Sequence, residues 1–164
     1  MAYGVVRTDL MSNDALNIIS AKYLPSATAT AIDNGSVVKI GALVTGETNV
    51  FTADTPARND ALSAVALVAS VELTDDPRVR KYSEFQNAAG DVIRCYKFVS
   101  GSIFSVTIDA LDGDSSPDVG DVIELKAGIS LNVADSLTSG STKVGDIIAI
   151  DVVDGVNYYV IKVV

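Results

Sequence analysis

The chain has no histidine, no tryptophan and a single cysteine, Cys95. Without histidine it lacks the usual general base, the commonest zinc ligand and the side chain that titrates near neutral pH. One cysteine excludes an internal disulfide. Cys95 lies in the strand-like run 92–99, where a buried, inert thiol is expected. Basic residues are also scarce: 12 Lys and Arg stand against 21 Asp and Glu, for a net charge of −9. A phosphate backbone is gripped by a basic face, so nucleic acid is not an expected partner. The one local basic cluster, Arg78, Arg80 and Lys81, reads as a solvated turn or helix face. The longest uncharged run, residues 61–71, is far short of the ~20 residues a membrane helix needs. The opening MAYGVVRTDL lacks the charged-then-apolar layout of a signal peptide. The sequence therefore reads as a soluble protein made in a cytosol, with no membrane partner.

What is abundant is β-branched and aliphatic. Apolar residues make up 48 % of 164 residues, enough for one domain, or two small ones, to bury a core without staples. The clearest element is a hairpin over residues 143–164. Asp154-Gly155 separates two β-branched, aromatic-rich runs, and that turn needs the positive φ that Gly supplies. Its opening, Val144-Gly145-Asp146-Ile147-Ile148-Ala149-Ile150, repeats Val119-Gly120-Asp121-Val122-Ile123-Glu124-Leu125, and Asn34-Gly35-Ser36-Val37-Val38-Lys39-Ile40 is a weaker third copy.

Upstream, residues 1–33 form a distinct stretch, an N-terminal arm or linker ahead of a β domain over 34–164. That domain divides into possible lobes at 34–110 and 111–164. Asn13 could cap a short helix with Leu16, Ile19 and Tyr23 at helical spacing, and an extended arm packing on something else fits equally well. The Ala/Thr run 26–31 reads as a linker or a thin edge strand. Thr55-Pro56 suggests a helix start, residues 59–62 a helical turn, 65–73 a buried strand and 74–77 a turn. Over residues 78–89, Tyr82 and Phe85 spaced by three suit a short helix or an ordered loop. Residues 91–99, 102–111, 119–126 and 130–134 read as strands. In 102–111 the alternation of Ile103, Ser105, Thr107 and Asp109 against Phe104, Val106 and Ile108, clean over its second half, predicts one wet face and one buried face. The expected class is mainly β: a small barrel or sandwich of Gly-punctuated strand units, one or two short helices and an extended N-terminal arm.

Chemistry is harder to find. Five aspartates, Asp109, Asp112, Asp114, Asp118 and Asp121, fall within one loop and form the best catalytic or calcium candidate. Their spacing departs from the helix-loop-helix calcium pattern, and Asp is also a turn former in its own right. Paired carboxylates could cleave glycosides, but the aromatic platforms that hold sugars are scarce. Serine nucleophiles would have only lysine as a base, and no Gly-rich loop is followed by Lys-Ser/Thr. The expectation is that the chain is not an enzyme and has no catalytic residue, metal or cofactor. Tyr158 and Tyr159 are adjacent and face opposite sides of a strand, one toward the core and the other a candidate partner anchor.

The acidic chain opening MAYGVVRTD, followed by units such as NGSVVKIGALVTGETNVFTADTP and VGDVIELKAGISL, resembles the decoration, or cement, proteins of tailed-bacteriophage capsids. The resemblance implies a virion protein that assembles in the host cytoplasm and binds the outer surface of the expanded head. There it would bridge major-capsid subunits, commonly as a homo-oligomer, with a trimer favoured. On this reading Tyr3, Val5, Val6, Arg7, Leu10, Leu16, Ile19 and Tyr23 face the capsid or another partner, with the arm adding a strand to a capsid sheet edge. The alternative is a carbohydrate- or receptor-binding β module of a phage tail or cell surface.

Overall fold

The computed structural model describes residues 2–11, 15–73 and 81–164. Asn13, the turn expected at 74–77, and Arg78 and Arg80 lie outside them. The protein is mainly β, as expected, with eleven strands among the described residues in two sheets. The first is a closed barrel in the order β1 (Ile18–Tyr23), β3 (Val50–Asp54), β2 (Val37–Leu43), β4 (Val65–Val68) and β5 (Ile93–Lys97). β5 closes back on β1, Ile19 opposite Cys95, and β1 and β3 run parallel. The second sheet has the order β6 (Ile103–Thr107), β11 (Val156–Val163), β10 (Lys143–Val153), β8 (Val122–Glu124), β9 (Leu131–Ala134) and β7 (Leu111–Gly113).

The larger core cluster joins the two sheets. Val37, Val65, Leu67 and Tyr96 of the barrel pack in it with Phe104, Val106, Ile123, Ile147 and Ile161 of the second sheet. Burying one such side chain fully contributes about 1.5–3 kcal/mol. A smaller cluster, with Ala21, Ile32, Val38, Val68 and Cys95, fills the barrel.

Several expectations are corrected. Ile18–Tyr23, expected in an arm, linker or helix, is β1 of the barrel. Leu16, Ile19 and Tyr23 have helical spacing, but pairing with β3 and β5 decides the conformation, and Ala21 and Tyr23 alternate inward with strand period. Strands divide between the sheets at residues 98–102, between β5 and β6, rather than at 110. The helical segments among the described residues are three-residue 3-10 turns. One spans Leu62–Ala64, just past the expected 59–62, and another spans Tyr82–Glu84. No helix starts at Pro56. On β6 the polar face is not wet: Ser105 and Thr107 are buried. The N-terminal segment covers that edge. Val6 pairs antiparallel with Val106, Arg7 N–H donates to the Ser105 carbonyl (3.0 Å), and Thr107 N–H donates to the Val5 carbonyl (3.1 Å). The strand addition expected toward a capsid sheet is thus made, over residues 5–7, to this chain's own sheet.

The hairpin forms as its turn chemistry dictates. Asp154 (φ 51°) and Gly155 (φ 78°) both take the left-handed conformation of a type I′ turn. The repeated motif acquires a geometric meaning. Val122 lies opposite Asp146. Ile147 N–H donates to the Asp121 carbonyl (2.9 Å), and Gly120 N–H donates to the Ile147 carbonyl (2.8 Å). The two Val-Gly-Asp copies therefore pair with each other about a local two-fold.

Candidate functional site

Two surface regions collect the chemistry-bearing residues. The first is a groove of about 940 Å³ between the N-terminal segment, the hairpin tip and the turn at Tyr82–Glu84, lined among others by Arg7, Glu72, Lys81, Tyr82, Phe85 and Tyr158. Its centre is Arg7. Pairing on β6 carries this guanidinium over the outer face of the sheet, 5.6 Å above the Tyr158 ring. There it donates to Asp151 (3.0 Å) and to both oxygens of Asp9 (2.7 and 3.3 Å). The hydrogen bond to Asp9, with the nearby carboxylates, raises the Arg7 pKa, and the same bond lowers that of Asp9. Desolvation raises the phenol of Tyr158, and desolvation raises the carboxyl of Glu72 against the opposing hydrogen bond from Asn34. Of the tyrosine pair, Tyr159 is core and Tyr158 half-buried under Arg7.

The second region is acidic. The five-aspartate loop does not converge on one site. Asp109 lines the groove, and Asp112 pairs with Lys126, whose ammonium lowers its pKa. Asp114 and Asp121 instead meet Asp135, the ligand oxygens of all three lying within 4.8 Å of one another. Asp121 accepts from Asp118 N–H (2.8 Å) and Asp114 from Ser116 N–H (2.9 Å), bonds that shape the turns and leave the charges unneutralised. Asp135 was missed because it follows β9, and only the packing of β8 and β9 brings it to the loop. Three carboxylates are compatible with a hard cation in donor type.

The expected interface residues separate into two groups. Val5, Val6 and Tyr23 are buried within the chain, and the Tyr23 hydroxyl is hydrogen-bonded to Thr55 Oγ1 (2.8 Å). In this conformation they are not available to a partner. Tyr3 and Ile19 are half-buried, with Tyr3 N–H bonded to the Ser83 carbonyl (2.9 Å), and Arg7 is engaged as described. Leu10 (49 %) and Leu16 (83 %) are exposed. Comparison with known protein families, with characterised proteins and with solved structures finds no match to this chain.

Proposed function

We propose that this chain is a structural virion protein that binds the outer surface of a bacteriophage capsid and stabilises the expanded head by bridging major-capsid subunits. The observation that carries the reading is the contrast along the N-terminal stretch. Val5, Val6 and Tyr23 anchor it in the two sheets, while Leu10 and Leu16 stand exposed on either side of residues 12–14. Large apolar side chains held close to anchored residues suit docking on a fixed surface, because the anchored residues lose little freedom on binding. Many copies on one shell would let modest single contacts hold together. The resemblance in the opening and in the Gly-punctuated units supports the same reading.

Electron cryo-microscopy of the virus that encodes the chain, or of its empty heads mixed with the purified protein, tests it. The expected result is density of this size at regular positions on the shell. Leu10→Asp with Leu16→Asp should empty those positions while the protein stays folded. A bare shell, with the protein free in solution, overturns the reading.

A second reading, a carbohydrate- or receptor-binding module, is favoured by the groove itself. Tyr82, Phe85 and Tyr158 share it with Arg7 and Lys81, and Tyr82 is well exposed. Binding to a glycan panel that Tyr82→Ala abolishes, together with bare heads, would select it.

A further inference from the structure

The outer edge of β10 is unequally used. Residues 143–146 pair with β8, and Ile147 bonds Gly120 and Asp121. Beyond Ile147 the strand continues to Val153, held on one side by β11 (Ala149 opposite Val160, Ile150 opposite Tyr159), with no backbone partner on its other side among the described residues. Along six residues, 148–153, with a bulge where Ile148 falls between the paired Ile147 and Ala149, the main-chain N–H and C=O groups of alternate residues therefore face outward over about 20 Å. Ile148 and Val152 (62 %) are exposed along it. Such an edge is a template for another strand.

What borders this edge says which strand. Its pairing stops at Gly120 and Asp121, and Asp121 is one of the three carboxylates of the Asp114, Asp121 and Asp135 group. No ion pair reaches any of the three among the described residues, and Lys143 nearby on β10 is taken up by Asp146 (2.8 Å). An incoming strand laid along residues 148–153 therefore ends against an uncompensated triple negative charge. A second copy of this chain is disfavoured there, since each carries net −9.

We propose that the β10 edge at residues 148–153 accepts an extended segment of a partner protein, main chain to main chain, with a Lys or Arg of that segment seated on Asp114, Asp121 and Asp135. Main-chain bonds supply the affinity and the acidic end sets register and selectivity. The proposal does not require the partner to be a capsid protein, so its fate and that of the capsid reading are separate.

The test uses the full chain and two short peptides of alternating threonine and valine, one led by two lysines and the other by two glutamates. Residue-resolved amide exchange by NMR reports on 148–153. The outward amides should exchange fast in the free protein and slowly with the lysine peptide, while the glutamate peptide leaves them fast. Asp114→Asn with Asp135→Asn should weaken the lysine peptide roughly fivefold at low salt. Slow exchange of the outward amides in the dilute free protein, equal effects of the two peptides, or no effect of the lysine peptide overturns the proposal. Protection that grows with protein concentration alone assigns the edge to a second copy and overturns it too.

Discussion

Replacing Asn34 by alanine should cost the fold about 2–6 kcal/mol. Asn34 sits in the Asn34-Gly35 turn, yet its side chain is buried. Its Oδ1 accepts from Ser70 N–H (2.9 Å) and from Asn87 Nδ2 (3.2 Å). Its Nδ2 donates to the Ser70 carbonyl (2.9 Å) and to Glu72 Oε1 (3.2 Å). Alanine removes the Asn34 partner of both Ser70 backbone groups, at about 1–3 kcal/mol for each orphan. Asn87 keeps the Ile32 carbonyl (2.9 Å), and half-buried Glu72 can turn to water, so neither adds much. The sum is a large share of the ~5–15 kcal/mol that holds a domain together. Urea unfolding should show it as a lower midpoint at unchanged slope. Asn34→Asp supplies the control. A protonated carboxyl can accept from Ser70 N–H and donate to the Ser70 carbonyl, whereas a buried carboxylate beside Glu72 cannot do the second. Burial places the folded pKa of that aspartate above its unfolded value of about 3.9. Its stability is therefore full below that value and is lost as pH rises through the folded one. The Asp variant should exceed the Ala variant in acid and lose that advantage toward neutrality. A loss below about 1 kcal/mol in the Ala variant, or an Asp variant indifferent to pH, would refute the hub.

Three further outcomes are expected. Gly145→Ala would drive a Cβ into the Lys162 carbonyl, 2.9 Å from its carbon, and should break the β10–β11 pairing. Gly46→Ala, at φ 86° with open space around it, should cost only about 1 kcal/mol, and paired melting curves compare the two. Cys95 is fully buried and its thiol is pushed up to about 12 by desolvation, so a thiol reagent at pH 8 should modify it only as fast as the barrel opens. Glu72 has its pKa raised chiefly by desolvation, so the stability it contributes is full below about 4.5 and falls as pH rises through the folded value. Glu72→Gln should therefore gain on the parent protein in melting temperature between pH 4 and 7, and a constant gap would contradict this.

The sequence made local geometry legible and non-local geometry illegible. Asp154-Gly155 could be placed because a type I′ turn is decided by two residues' own φ preferences. Leu16, Ile19 and Tyr23 misled because a short helical spacing also fits a strand whose partners, β3 and β5, lie far along the chain. Ser105 and Thr107 suggested water because no local signal says that residues 5–7 return to cover them. The acidic loop was visible as composition, but Asp135 joins it only through sheet packing. Val5 and Val6 looked like partner contacts for the same reason: their core is built by residues a hundred positions away.

The open edge of β10 follows from the way the repeat fails. About the local two-fold that pairs the Val-Gly-Asp copies, the contact of Val122 with Asp146 is the image of that between Ile147 and Asp121. Extending the symmetry along β10 would require residues 115–120 to continue as a strand opposite 148–153. They cannot. Pro117 has no N–H to give, Ser116 N–H is bound by Asp114, and Asp118 N–H is bound by Asp121. The second copy meets no such obstacle and runs on to its turn at Asp154, so it overshoots its partner by a strand's length. The side chains that stop the first copy are largely aspartates, because Asp holds tight turns through its own carboxylate. One local event thus leaves the edge unpaired among the described residues and places negative charge at its end, so the edge and its acidic border share one cause.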